Sequence, residues 1–234
     1  MRMQAVERLE SMDIGGAVNG WWVCWIPPPQ EVIKANFDAA VWEDGKATLA
    51  CVVRNYTSSI LLVDGWLCES LDIFEAETRA AWESVRLLRS CLQNQWVWVE
   101  GDSLAVVQGL KTESCQLGTS TLLEDARRLL QNMKVHDISH TYREGNHCTD
   151  QVMKWVRELN TNVTLRNGFP SMLQNYAQGD ALGICYERMQ GCGLGPLISQ
   201  KRKEKKNLRK ISSLKSPRSM PHSTRDQSIT RRII

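Results

Sequence analysis

No stretch of this 234-residue chain approaches the ~18 consecutive apolar residues that a membrane-spanning helix needs, so no membrane partner is expected. The opening MRMQAVERLE has no apolar segment of the kind a secretory signal carries, which sets the expectation of an intracellular protein, nuclear or cytoplasmic, in a reducing setting. The eight cysteines include no CxxC pair. Cys185 and Cys192 are the closest two, and they have no histidine or further cysteine at zinc-ligand spacing, so the thiols are expected to be structural. The glycine-rich run Gly191–Pro196 neither follows a strand nor opens a helix, so it does not read as a phosphate-binding loop.

The charge that is present is unevenly placed. Residues 201–234 hold 12 Lys/Arg against Glu204 and Asp226, a net of +10. Of the totals of 29 and 26, that leaves 17 Lys/Arg and 24 Asp/Glu in residues 1–200, a net of −7. An acidic body does not bind nucleic acid by bulk electrostatics; if it handles nucleic acid, divalent cations screen part of its charge. The basic run 201–210 reads as a solvated tail, and equally as a salt-dependent nucleic-acid contact or a nuclear-import signal.

Along the chain, residues 1–24 read as a loose leader, and the run 21–29 enters the domain extended, because the prolines 27–29 forbid a helix. Strand-like runs follow at 32–41, 47–55 and 60–69, linked by short polar connectors. A helix is expected over 72–92 with Asp72 as its cap, then a strand at 95–100 and a short helix to 111. An amphipathic helix over 119–134, a strand at 135–143 and a helix over 147–159 complete the order βββαβααβα. The implied fold is α/β, a mixed five-stranded sheet flanked by helices, occupying residues 25–160. Residues 161–234 are expected to be irregular to disordered and to add no strand.

Asp38 sits in the middle of the first of these strands, where burying a carboxylate without a partner is costly. Glu77 shares a helix face with Ile73, Phe74, Ala80 and Ala81, so it points at the sheet, whereas Glu75 sides with Asp72, Arg79 and Trp82 and points away. Asp102 ends a strand and opens a helix, where an N-cap is the ordinary reading. Asp150 lies in the first turn of the last helix, where a carboxylate suits the macrodipole. Taken together, the four can converge at one edge of a mixed sheet, where they repel unless cations neutralise them. Oxygen ligands without His or Cys suit Mg²⁺ or Mn²⁺, and two such ions support displacement at a phosphodiester.

From Trp25 to Leu159, about 135 residues, the chain resembles a type 1 ribonuclease H domain. It is similar, more closely, to plant proteins derived from the ribonuclease H part of non-LTR retrotransposons. The marks are Trp25-Ile26-Pro27-Pro28, Lys34-Ala35-Asn36-Phe37-Asp38, Ala76-Glu77 with Ala80, Glu100-Gly101-Asp102-Ser103, and Arg143-Glu144-Gly145-Asn146 with Asp150, in the family's order and spacing. The resemblance implies that Asp38, Glu77, Asp102 and Asp150 are the catalytic, metal-binding positions for two Mg²⁺ or Mn²⁺ ions. It implies endonucleolytic cleavage of RNA in an RNA–DNA hybrid by a monomer, with Asn36, Ala39, Ala40, Ser103 and Asn146 as substrate-binding positions. The alternative is a module of the same fold that binds nucleic acid and has lost turnover. The chain departs from the family at Ala50, Cys51, Ser58 and Ser59, where glycines are usual, and at Thr149, where alanine is usual; neither His140 nor His147 aligns with the family's loop histidine. Slow turnover or relaxed folding, with the metal site kept, is the expected consequence.

Overall fold

The computed structural model describes residues 20–69, 72–112 and 120–189. Most of the leader, the basic run and Gly191–Pro196 therefore lie outside the described residues. The strands β1 (Gly20–Cys24), β2 (Val32–Val41), β3 (Lys46–Arg54) and β4 (Ile60–Glu69) precede helix α1 (Ile73–Cys91). Then follow β5 (Trp96–Gly101), α2 (Leu104–Lys111), α3 (Thr121–Gln131), β6 (Lys134–His140), α4 (His147–Leu159), β7 (Val163–Leu165), α5 (Ser171–Ala181) and β8 (Cys185–Met189). The expected βββαβααβα order runs from β2 to α4. The main sheet has the strand order β6-β5-β2-β3-β4-β7, with β2, β5 and β6 parallel and the other pairs antiparallel.

Strand β2 is central and buried along nearly its whole length, which is why its apolar residues do not alternate cleanly with polar ones. On one face Phe37, Leu49 and Val99 pack under α1, α2 and α3. Small residues on α1 (Ala76, Ala80 and Ala81, all fully buried) let that helix approach the sheet closely. Asp72 caps α1 by accepting from the Glu75 amide, as its position predicts. Ile73 and Phe74, expected on the buried face, stay exposed; burial begins at Ala76. The opposite face, Ala50, Val52 and Val63, packs against α4 and α5. There Gly65 faces α4 so closely that a Cβ would lie 2.3 Å from Val156 Cγ2, so α4 owes its seat to a missing side chain.

Three expectations need correcting. The segment after Asn160 does add strands: β7 pairs with β4 through Val63↔Leu165 and extends the five expected strands to six, and β8 pairs with β1. Three residues of β7 carry too little pattern to stand out from a loop. The leader is ordered at its end, because Gly20–Cys24 forms β1 against Met189–Cys185. The thiols are not all free: Cys24 and Cys185, opposed in that ribbon, form a disulfide spanning 161 residues of sequence. Cys51, Cys68 and Cys148 are the buried free thiols among the described residues.

A buried polar network underlies the sheet on the α4 face. Lys34 and Arg54, both fully buried, meet Glu100 and Asp180 respectively. Glu100 accepts from Lys34 Nζ at 2.7 Å, Asn36 Nδ2 at 2.9 Å and Ser139 Oγ at 2.9 Å. Arg54 also donates to Asn36 Oδ1 at 3.2 Å and lies 3.7 Å over the Trp25 ring. Each buried cation thus has its own carboxylate, the condition under which such charges are tolerated in a core. Burial pushes the Lys34 ammonium below its ordinary value, with Glu100 opposing that shift.

Candidate active site

The register of β2 and β5 builds the first half of the site. Phe37 pairs with Gly101, so the next residues, Asp38 and Asp102, emerge side by side on one face. Gly101 is required here: a Cβ would lie 2.3 Å from the Phe37 ring. One step back on the same face, the Asn36–Glu100 bond cross-links the two strands. Asp102 is not the cap of α2; that position is Ser103, whose side chain makes no capping bond.

Glu77 completes a cluster of three. Ligand oxygens of Asp38, Glu77 and Asp102 all lie within 4.8 Å of one another, with Asp38 and Glu77 buried and Asp102 half-buried. As its helix periodicity requires, Glu77 is inward and Glu75 exposed. Asp38 Oδ1 accepts from the Ala39 amide at 2.8 Å. Asp38 Oδ2, Glu77 Oε2 and Asp102 Oδ1 are buried without any hydrogen-bond partner. Buried carboxylate oxygens rarely stand unpartnered, and three aimed into one space are the donor set that a hard divalent cation takes.

The electrostatics agree. Burial, then the Asp102 and Glu77 charges, raise the Asp38 carboxyl well above the ordinary carboxylate range. Glu77 is raised well above its own range by burial and by Asp102. Burial also raises Asp102, with Arg143 opposing it.

Asp150 stands apart from this group. It is paired with Arg143 Nη2 at 3.1 Å and Lys154 Nζ at 2.6 Å. Burial tends to raise its carboxyl, but the hydrogen bonds and charges of Lys154 and Arg143 outweigh that and hold it below the ordinary value. It is near enough to add to the charge felt at Asp38. Arg143, exposed beside the cluster, was not among the expected site residues. Its place in the Arg143–Asn146 motif, just ahead of Asp150, was the available signal. The positive charge of Arg143 acts on Asp38, Glu77 and Asp102 as well as on Asp150.

Of the expected substrate contacts, two are corrected. Asn36 is fully buried and bonded to Trp25 Nε1 at 2.8 Å, Arg54 and Glu100, so it braces the strands instead of facing a substrate. Asn146 is also fully buried; its Nδ2 donates to Phe37 O at 3.0 Å and its Oδ1 accepts from Thr149 Oγ1 at 2.8 Å. It pins the start of α4 to β2 just before Asp38, and Thr149, the departure from the usual alanine, contributes to that clamp. Ala40 and Ser103 are half-buried, and Ala39 is buried with its amide on Asp38.

Sheet order, helix placement and the acidic cluster define a ribonuclease H fold. LC9-RNase H1, a type 1 RNase H with the type 2 active-site motif, superposes with a TM-score of 0.50 at 12% identity, over 70% of this chain and 87% of that one. RNase H1 from the halophilic archaeon Halobacterium salinarum NRC-1 gives 0.48 at 20% identity, over 54% and 98%. LC11-RNase H1 in complex with RNA/DNA hybrid gives 0.48 at 14%, over 55% and 99%. The chain belongs to the reverse transcriptase-like family, which matches residues 36–156. A comparison with curated proteins gives no match.

Proposed function

We propose that this chain is a divalent-cation-dependent endonuclease that cuts the RNA strand of RNA–DNA hybrids, in a domain of retrotransposon origin. The observation that carries the reading is the convergence of three carboxylates within 4.8 Å, each with a buried, unpartnered oxygen. Asp38, Glu77 and Asp102 would hold Mg²⁺ or Mn²⁺, with Asp150 joining once it exchanges Lys154 or Arg143 for a cation. When bound, two such ions activate water and offset the charge that builds on the departing 3′-oxygen. The chain's own groups do the rest. Asn146 and the Asn36–Glu100 cross-link fix where Asp38 and Asp102 stand. Arg143, at the cluster's open side, is a fixed positive charge for a phosphate. Backbone groups at Ala39–Ala40 and the half-buried Ser103 would meet the 2′-hydroxyl that separates RNA from DNA.

The second reading, a nucleic-acid-binding module without turnover, has one observation behind it: Asp150 is already satisfied by two cations. Offering the full chain a labelled hybrid, duplex DNA and single-stranded RNA under Mg²⁺ separates the two. Selective loss of the hybrid supports the nuclease; hybrid binding without cleavage supports the module; equal cutting of single-stranded RNA contradicts both.

A further inference from the structure

The ribbon formed by β1 and β8 lies in parts of the chain outside residues 36–156, the span of the family match. It closes on the segment Tyr142–His147, which leads into α4. From β8, Tyr186 stacks on His147 with ring centroids 4.0 Å apart, Arg188 Nη1 donates to Glu144 Oε2 at 2.8 Å, and the Arg188 guanidinium lies 4.2 Å over the Tyr142 ring. From β1, Val23 and the Cys24 carbonyl pack against Gly145: a Cβ there would lie in ordinary contact with Val23 Cγ1 at 3.4 Å and Cys24 O at 3.6 Å, its close obstacle being Thr141 Oγ1 at 2.6 Å. The gripped segment carries Arg143 and Asn146 and sets the first turn of α4, where the Asp150 amide donates to Asn146 O at 3.1 Å.

A two-stranded ribbon of five residues a side is marginal by itself. The Cys24–Cys185 bond supplies the fastening this one needs. Both cysteines are half-buried, and a small dithiol is the reagent that would open the bond. Such a reductant gives up two electrons and two protons, leaving two thiols on the ribbon and a disulfide on itself.

We propose that Tyr186 and Arg188, held by the Cys24–Cys185 disulfide, are positioning residues for the Tyr142–Asp150 segment, so that the fastened ribbon sets how well Asp150 and Arg143 complete the carboxylate site. The proposal rests on the nuclease reading for its rate measurement only. Its test is hydrogen exchange of the full-length chain, comparing the oxidised protein with the Cys24→Ser/Cys185→Ser, Tyr186→Ala, Tyr186→Phe and Arg188→Ala variants. Amides of 142–150 exchange about tenfold faster in the double serine, Tyr186→Ala and Arg188→Ala proteins. Tyr186→Phe, which keeps the ring stack, restores protection, and β3 and α1 are unchanged throughout. In cleavage, half-saturating Mn²⁺ rises about tenfold in the three loosened proteins, with the rate at saturating Mn²⁺ preserved. Unchanged exchange across 142–150 overturns the proposal. So does acceleration spread equally over β3 and α1, which reports stability and not positioning. A chain that cuts nothing in any form contradicts the nuclease reading, and exchange then decides the ribbon's role by itself.

Discussion

At Asp38, burial and the charges of Asp102, Glu77 and Asp150 act in the same direction, and Arg143 opposes them. Removing that charge should help the fold while ending the chemistry. Asp38→Asn is expected to stabilise the cation-free protein by about 1 kcal/mol, read by thermal unfolding in chelator, and to abolish cleavage. A lowered midpoint would mean that Asp38 is satisfied in a way its unpartnered Oδ2 does not suggest. The pH dependence follows from the same groups. Asp38, Glu77 and Asp102 have folded pKa values above their unfolded ones, so between the two values the native state binds more protons. Their contribution is full below the ordinary carboxylate range, about 4, and is lost as pH rises through the raised values. Asp150, held low, behaves oppositely: its contribution is present above the ordinary range and is lost only as pH falls through its lowered value. Unfolding scans in chelator from about pH 4 to 8 should therefore show stability falling with pH, and saturating Mn²⁺ should remove the fall by replacing the protons. A flat cation-free profile would contradict the clustering. Ser58 explains one departure from the family pattern. It holds φ at 63°, the left-handed region where glycine is free, and its buried hydroxyl has no partner. Ser58→Gly is expected to raise stability by roughly 0.5–1 kcal/mol in denaturant unfolding, and a loss would show that the side chain is better accommodated than its geometry indicates.

Among the elements, α5 is the one that changes where the domain ends. Its Asp180 is the carboxylate partner of Arg54, and its Leu173 and Ala177 close the core under α4. Asp180→Ala leaves a fully buried guanidinium without its counter-charge and is expected to cost about 3–5 kcal/mol in chemical unfolding. A chain cut after Asn160 should lose at least as much, whereas one cut after Met189 should not; equal stability of the two would contradict this. The sequence carried the ranges of β2, β4 and α4 to the residue, because long buried runs and an amphipathic period leave strong patterns. It did not carry β7, β8 or α5. Strands of three and five residues are defined by what they pair with, and α5 mixes polar and small residues with little apolar bias. The Cys24–Cys185 pairing was equally hidden, since 161 residues of separation leave no spacing to read.

For the whole molecule, the inward face of Glu77, the strand-central Asp38 and the strand-end Asp102 were readable as a converging set, because each position follows from strand or helix periodicity. What Asp150 does in the cation-free state was not, since Arg143 and Lys154 take it up through side-chain geometry that no period encodes. The acidic balance of residues 1–200, net −7, agrees with the proposed dependence on divalent cations, which would screen part of that charge from a nucleic acid. The measurement that tests this most directly is cleavage of a hybrid labelled on its RNA strand by the full chain over a Mg²⁺ titration, beside Asp38→Asn. The predicted result is no cleavage in chelator, a rate that rises and saturates with Mg²⁺, products with 3′-hydroxyl and 5′-phosphate ends, and no activity from Asp38→Asn at any Mg²⁺ concentration. Cleavage that survives chelator or the Asp38→Asn change would contradict the account.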